Sequence, residues 1–259
     1  MKFTVLGSGA VGGVPLYGCT CPACQRARAV SSYIRRPACA LLEHGKTRIA
    51  LDAGLADFGH RFPSGSLDAI LLTHYHMDHV AGLFDIRWGK GASLAIHGPV
   101  DDQGCADLHT HHGILDFSAS VEPFQAFSIN DICITALPLI HSRPTLGYFI
   151  EVDGARIAYL TDTVDLPADT LAFLQTHRPD LMLLDCSHPP SDMPRRNHND
   201  LNLALRLHQG IAPLQTWLTH IGHDLDAWLM QSPDILPSEI SIAQDGRVWR
   251  GGNPSILRY

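Results

Sequence analysis

The chain has 259 residues, of which 45% are hydrophobic and 17% are charged, and this composition is typical of a globular protein with a sizeable core. The formal net charge of −7 argues against a broad basic surface for nucleic acid or an anionic membrane. The sequence contains no run of about 18 apolar residues, which a membrane-spanning helix needs.

The N-terminal sequence MKFTVLGSGA carries a single lysine and becomes glycine-rich after one apolar run. This pattern predicts a buried first strand and not a signal peptide. We therefore expect a cytoplasmic protein whose seven cysteines stay reduced. The odd number of cysteines also fits a disulfide framework poorly.

Short apolar runs that end in polar or turn residues predict the strands of a central sheet. In chain order these runs are 3–7, 48–54, 69–74, 94–99, 132–141, 147–152, 156–162, 181–185 and 216–220. Between them, the sequence predicts helices at 80–88, 168–177 and 201–210. Strands and helices in this mixture predict a layered α/β architecture. Because we find no internal repeat and no linker, we expect a single domain over residues 1–259.

Polar residues that can bind a metal recur where the predicted strands end. His74, His141, Asp162 and His220 each close one of these runs. In open α/β sheets, ligands gather beyond the carboxyl ends of the strands. The sequence therefore predicts a functional site at this edge of the sheet.

The stretch THYHMDHVAG places four metal-capable side chains within six positions. Clustered imidazoles repel one another when protonated and lose hydration when buried, unless a cation compensates. His74 and His76 are two residues apart, so they project to one side of an extended segment. Asp78 and His79 fall where the next helix begins, and one turn of the chain can therefore serve two ions. Asp162 is the natural bridge, because a carboxylate has two oxygens.

The motif HxHxDH, followed by spaced His, Asp and His, resembles that of the metallo-β-lactamase superfamily. The resemblance implies an αβ/βα sandwich of two mixed sheets flanked by helices, with a site for two divalent metal ions. It assigns His74, His76, His141 and Asp162 to one ion, and Asp78, His79, Asp162 and His220 to the other. Lactamases, thioesterases, nucleases and oxidoreductases share this fold, so the fold alone does not identify a substrate.

The segments YGCTCPAC, LLTHYHMDHVAGLF, LDCSHPP, RNHNDLN and LTHIGHDLDAWLM resemble one branch of the superfamily. That branch is the phosphoribosyl cyclic phosphate phosphodiesterases of the carbon–phosphorus lyase pathway, which degrades phosphonates. The resemblance runs from about Gly18 to Met230 and leaves out the tail from Ser232. It implies hydrolysis of 5-phospho-α-D-ribosyl 1,2-cyclic phosphate to ribose 1,5-bisphosphate. It also favours manganese at the active site and the homodimer that is common among relatives, although imidazole and carboxylate ligands suit zinc and iron as well.

A second resemblance competes with the first, because HSRPTLGYFIE is similar to a segment of tRNA 3′-processing endonucleases. Those nucleases usually carry a long extra arm that grips tRNA, and the sequence shows no insertion of that size. The acidic net charge also disfavours tRNA as a partner. We therefore expect a small cyclic phosphodiester as the substrate, with neither nucleic acid nor membrane as a partner.

Two metal ions do not supply the proton that a departing alkoxide needs, and His198 in RNHNDLN is the candidate general acid. The alternative is that His198 is a surface histidine in a polar loop. Asp185, which ends a predicted strand, is one candidate to orient the His198 ring. Asp200 is the other candidate, with helix N-capping as its alternative role. The sequence does not choose between them.

Three arginines stand close to the predicted site residues in the sequence. Arg143 follows the ligand His141, while Arg195 and Arg196 precede His198. A phosphorylated substrate needs cationic partners on an otherwise acidic protein, so we predict that these arginines bind substrate. The alternative, that they are solvated loop residues, stays open.

Three cysteines, Cys19, Cys21 and Cys24, lie within six positions. Clustered thiols in a reducing compartment more often bind zinc than form disulfides. A structural zinc needs four ligands, and the resemblance supplies His223 as the fourth, which predicts a zinc-binding element at 18–26. The other cysteines are expected to be buried small apolar residues; they are Cys39, Cys105, Cys133 and Cys186.

Overall fold

The structure, a computed structural model, describes residues 1–119, 121–193, 195–232 and 234–251. Its strands are β1 (Lys2–Gly7), β2 (Cys39–His44), β3 (Thr47–Leu51), β4 (Ala69–Leu71), β5 (Leu94–His97), β6 (Leu115–Asp116), β7 (Ala126–Ile129), β8 (Ile132–Pro138), β9 (Leu146–Val152), β10 (Ala155–Leu160), β11 (Leu181–Asp185), β12 (Gln215–Thr219), β13 (Ile240–Ile242) and β14 (Val248–Arg250). Its α-helices are α1 (Pro22–Ala29), α2 (Phe58–Arg61), α3 (Met77–Ile86), α4 (Ala106–Thr110), α5 (Ala168–His177), α6 (Leu201–Ile211) and α7 (His223–Leu229).

The strands form two mixed sheets with the same internal plan. One sheet has the order β14-β1-β2-β3-β4-β5-β6, and the other has the order β13-β12-β11-β10-β9-β8-β7. In the first sheet, β14 through β3 pair antiparallel and β3 through β6 pair parallel. In the second sheet, β7 through β10 pair antiparallel and β10 through β13 pair parallel. The carboxyl ends of both parallel sets are therefore available to build a site.

Three apolar clusters hold these sheets and helices together as layers. The central cluster contains Phe3 of the first sheet and Tyr148 of the second, both without exposed surface. A second cluster packs Leu207 of α6 against the outer face of the second sheet, and a third packs Leu83 of α3 against the outer face of the first. Burying an apolar side chain of this size contributes about 1.5–3 kcal/mol. The predicted αβ/βα sandwich of two mixed sheets flanked by helices is confirmed.

Three polar residues just beyond the ends of β3, β10 and β12, strands that take part in parallel pairing, have a left-handed backbone. The φ angles are 58° at Asp52, 61° at Asp162 and 57° at His220. Non-glycine residues seldom adopt this conformation, which costs about 1–3 kcal/mol at each position, and such residues cluster at functional sites. The chain therefore turns sharply at the edge where the sequence predicts the metal ligands.

The tail that lies outside the resemblance completes both sheets. β13 pairs with β12, and β14 pairs with β1. Each sheet thus gains an edge strand from the last described part of the chain. Within the described residues, no helix has both the length and the apolar character that crossing a membrane requires.

Candidate active site

Two groups of metal-capable side chains meet at the carboxyl ends of the strands. Within each group, one ligand atom from every residue lies within 4.8 Å of the others. The groups are His74, His76, His141 and Asp162, and Asp78, His79, Asp162 and His220. Asp162 belongs to both groups. The structure therefore brings together the seven residues that the sequence predicts as ligands.

The motif after β4 serves both groups because the chain changes conformation inside it. His76 is the N-cap of α3 and has an extended backbone, with φ of −73° and ψ of 151°. His74 therefore lies with His76 in the stretch before the helix. Asp78 and His79 lie in the first turn of α3. The remaining three ligands follow strands β8, β10 and β12.

Four of the imidazoles are held at Nδ1 by a partner outside the two groups. The partners are Thr73 Oγ1 for His74 (3.1 Å), Asp52 Oδ2 for His79 (2.9 Å), the Asn197 carbonyl oxygen for His141 (3.0 Å) and Ser187 Oγ for His220 (2.9 Å). Such contacts fix the tautomer and the orientation of metal-binding histidines. In all four rings they leave Nε2 for the metal.

The three histidines of the first group bring their nitrogen atoms together. His76 Nδ1 lies 2.9 Å from His74 Nε2 and 3.1 Å from His141 Nε2. Burial lowers the pKa of all three rings, so the neutral form with a free lone pair is favoured. A single proton satisfies only two of these nitrogens, whereas one divalent cation accepts all three lone pairs. The donor set therefore fits a metal ion.

The second group contains two carboxylates and a buried imidazole nitrogen, His79 Nε2, that lies 3.3 Å from Asp162 Oδ1 and 3.5 Å from Asp78 Oδ2. His79 Nε2 is buried and forms no hydrogen bond with any described residue. Burial opposes the charged form of His79, but the Asp162 and Asp52 carboxylates raise its pKa well above the usual range. Burial also opposes ionisation of Asp78 and Asp162, yet the neighbouring histidines hold the pKa of both carboxyls below the usual range. This anionic group also fits a divalent cation, which would replace the proton on His79.

His198 stands beside the two groups and is paired with a buried carboxylate. Its Nδ1 donates a hydrogen bond to Asp185 Oδ2 at 2.7 Å, and its ring stacks on the His220 ring with centroids 4.7 Å apart. Burial lowers the pKa of His198, but Asp185 outweighs it and raises this pKa to about 9. Asp200 is the N-cap of α6 and accepts from the Leu203 backbone N–H at 2.9 Å. Of the two candidates, the structure pairs Asp185 with His198.

A cavity of about 280 Å³ opens over the metal-ligand groups and His198. Its lining residues are Val11, His76, Met77, Asp78, His141, Asp162, Asn197, His198 and His220. The three predicted substrate-binding arginines do not line this cavity. Arg143 donates from Nε to Asp101 Oδ2 at 2.8 Å, Arg195 is half-buried and Arg196 is exposed.

The cysteine-rich stretch meets His223 at a separate place in the fold. One ligand atom from each of Cys19, Cys21, Cys24 and His223 lies within 4.8 Å of the others. His223 Nδ1 is 3.5 Å from Cys19 Sγ and 3.6 Å from Cys21 Sγ. Burial raises the pKa of the Cys24 thiol to about 12, and a bound zinc ion would hold that sulfur as thiolate instead. The three thiols and one imidazole fit a tetrahedral zinc site.

The other cysteines agree only partly with the expectation that all are buried. Cys39 and Cys186 are buried, whereas Cys105 and Cys133 are half-buried. For the last two residues the prediction is wrong. Cys133 lies in β8 at an intermediate position of the burial pattern, because strand residues alternate between the two faces of a sheet.

Comparison with known proteins identifies the family. Residues 47–221 match the model described as beta-lactamase superfamily domain, and the site contains the two metal-ligand groups. The chain belongs to the metallo-β-lactamase superfamily. Family membership and the donor sets together indicate a metal-dependent hydrolase.

Three relatives and one solved structure illustrate this kinship. The chain is 29% identical over 260 residues to an octanoyltransferase of Porphyromonas gingivalis, with 95% of this chain and 51% of that protein aligned, so it spans about half of that relative. It is 26% identical to the probable metallo-hydrolase YhfI of Bacillus subtilis, over 82% of this chain and 91% of that protein. It is 29% identical to ribonuclease Z of Methanopyrus kandleri, over 43% of this chain and 42% of that protein. The structure of a new diphosphatase from the PhnP family has 25% identity and a TM-score of 0.79, with 96% of each chain covered.

The metallo-β-lactamase site also contains residues that sequence reasoning missed. Asp52 directly follows β3 and holds His79, so the strand-end rule that located Asp162 could have found it. Thr73 and Ser187 hold His74 and His220 from adjoining loops. A single threonine or serine has many structural uses, and neither residue carries a sequence signal for this role.

Proposed function

We propose that the chain is a dinuclear metal phosphodiesterase that hydrolyses 5-phospho-α-D-ribosyl 1,2-cyclic phosphate to ribose 1,5-bisphosphate. One observation carries the proposal: a carboxylate-paired histidine, His198, lies at the same cavity as two metal-ligand groups. This combination suits a phosphodiester whose leaving group is a sugar hydroxyl. Such an alkoxide is too basic to leave easily without a proton.

The side chains at the site have different roles in the proposed reaction. Seven ligands, with Asp162 shared, would hold two divalent cations. When bound, such a pair supplies a nucleophilic water at neutral pH and neutralises the phosphoryl oxygens. Asp185 holds His198 through Nδ1, which leaves Nε2 as the atom that carries the second proton of the charged ring. Water adds its hydroxyl to phosphorus and releases its other proton to solvent, the bond from phosphorus to the ribose O2 breaks, and the charged His198 ring donates its Nε2 proton to O2.

The proposal includes the metals. Manganese occupies the two active-site positions, although zinc or iron also binds such ligands. Zinc occupies the position formed by the three cysteines and His223. Metal analysis of protein purified without chelators would give about two manganese and one zinc per chain on this proposal.

The comparisons support hydrolysis at a phosphate group without identifying a particular substrate. One similar structure is named as a diphosphatase of the PhnP family, and one relative is named ribonuclease Z, an enzyme class that cleaves RNA. When a diphosphate is hydrolysed, the departing group is a phosphate, a stabilised anion that needs less help from an acid than a sugar alkoxide does. The His198–Asp185 pair therefore favours a phosphodiester over a diphosphate as the substrate of this chain.

A nuclease similar to ribonuclease Z is the second candidate, because 29% identity over 119 residues favours it. The formal net charge of −7 disfavours an RNA partner, since RNA binding depends on contacts to phosphates. A small substrate, with neither nucleic acid nor membrane as a partner, therefore remains the proposal. We also propose that the protein is a homodimer and is located in the cytoplasm. Sedimentation analysis would test the oligomeric state.

A substrate panel tests the proposed function. The manganese-loaded protein would be assayed with 5-phosphoribosyl 1,2-cyclic phosphate, a nucleoside diphosphate and a precursor tRNA. The proposal predicts the highest kcat/KM for the cyclic phosphate. Faster cleavage of precursor tRNA would establish the nuclease, and faster cleavage of the diphosphate would contradict the assignment of a sugar leaving group.

A further inference from the structure

The proposed substrate carries a second phosphate that the metal-ligand groups do not explain. The phosphodiester would lie over the metal-ligand groups, while the 5-phosphate must extend to one side of the cavity. Two places beside the cavity offer a cationic side chain. One contains Arg143, next to the ligand His141, and the other contains Arg195, next to the loop that carries His198.

The place at Arg143 is unfavourable for an anion. Arg143 is already paired with Asp101, whose side chain is only 4% exposed. The space beside this pair, about 340 Å³, is lined by both Asp101 and Asp102 as well as Arg143. Two carboxylates and one guanidinium give this place a net negative charge. A phosphate dianion would be repelled there, or would have to displace a buried carboxylate.

The place at Arg195 lies beside the general acid His198 and also contains His188. His188 lies three residues beyond Asp185, and its ring centroid is 6.3 Å from that of His198. Arg195 lies three residues before His198 in the same loop. Burial and the charges of Arg195 and His198 lower the pKa of His188, while Asp185 and Asp224 oppose this shift. Arg195 Nε is buried and has no hydrogen-bond partner among the described residues.

Neither Asp185 nor Asp224, the carboxylates whose charges act on His188, forms an ion pair with its ring. Asp185 accepts from His198 at 2.7 Å, and the Asp224 side chain is 70% exposed to solvent. Across the described ranges, neither the His188 ring nor the Arg195 guanidinium takes part in an ion pair within 4.0 Å. Two basic side chains beside the general acid thus keep unused donors, and a dianion is the ligand that satisfies them.

We propose that His188 and Arg195, beside His198, form the subsite for the phosphomonoester group of the substrate. This inference rests on the proposed function, because it concerns the second phosphate of that substrate. Arg195 supplies the fixed positive charge, and a neutral His188 ring donates one hydrogen bond.

Binding of ribose 5-phosphate tests the subsite without relying on turnover. The probe would be titrated by calorimetry into the metal-loaded protein, with ribose as the phosphate-free reference. Losing one hydrogen bond to a charged group weakens binding by about tenfold or more. Arg195→Ala and His188→Ala should each raise the Kd for ribose 5-phosphate by that factor, while Arg195→Lys should recover part of the loss. Arg206→Ala, which removes an exposed arginine from α6, should change the Kd by less than about twofold.

Two results would overturn the inference. In one, Arg143→Ala weakens binding of ribose 5-phosphate and Arg195→Ala does not. In the other, every variant binds the probe as the unaltered protein does. Failure of the proposed function looks different, because the unaltered protein would then fail to cleave the cyclic phosphate. The effect of Arg195→Ala on the Kd would still be measurable in that case.

Discussion

His198 donates its Nδ1 hydrogen to Oδ2 of Asp185 across 2.7 Å, and the Asp185 side chain has no exposed surface. Asp185 is fixed in turn by the Thr163 backbone N–H, which donates to the same oxygen at 3.1 Å. A buried carboxylate held from two sides aligns the imidazole and favours its charged form. The pair therefore gives a physical basis for the proposed role of His198 as a proton donor.

Replacing Asp185 by Asn should impair His198 as an acid while leaving the shape of the site. The amide cannot stabilise the charged ring, so we expect kcat on the cyclic ribose phosphate to fall by about 10²-fold. Steady-state kinetics would measure the loss. Asp200→Asn is the matched control, because Asn caps a helix about as well as Asp, and its kcat should stay within about threefold. Similar losses in both variants would show that the substitutions disturb the fold of the loop and do not act through the Asp185–His198 pair.

Much of this site could be predicted because local rules govern where the ligands fall. Buried strands have apolar runs, and the residues that end them share one sheet edge, which located His74, Asp162 and His220. The pairing of Arg143 with Asp101 joins residues 42 positions apart, and no local pattern encodes such a contact. Strand β2 was missed because its residues, CALLEH, include Ala, Leu and Glu, which favour helices. Its position between β1 and β3 overrides that preference.

Asp162→Ala should remove the one side chain that belongs to both metal-ligand groups. We expect the active-site metal content to fall from about two ions per chain to one or fewer, and activity to become undetectable. Plasma emission spectrometry of purified protein would measure the metals. Glu122→Ala, which removes an exposed carboxylate, should retain both ions. Two bound ions and full activity in Asp162→Ala would exclude the dinuclear site.

Cys21→Ser should affect zinc and stability without touching the active site directly. A structural zinc contributes to the free energy of folding, and its thiolate ligands must be deprotonated. We expect the loss of about one zinc per chain and a fall in Tm of more than about 4 °C. Because protons compete for the thiolates, zinc should also leave the unaltered protein as the pH is lowered. Cys133→Ser, outside the cluster, should keep its zinc. If Cys21→Ser retains the zinc content and Tm of the unaltered protein, the cysteine cluster is not a zinc site.

The dependence of His198→Ala on the leaving group tests the central claim most directly. A ribose hydroxyl needs a proton to depart, whereas nitrophenolate departs readily without one. Since general acid catalysis contributes about 10²–10⁴-fold, kcat on the cyclic ribose phosphate should fall by that factor in His198→Ala. Cleavage of a nitrophenyl phosphodiester should fall by less than about tenfold, with the metal content unchanged. Equal losses on the two substrates, or a loss of metal from the variant, would contradict the assignment of His198 as the proton donor.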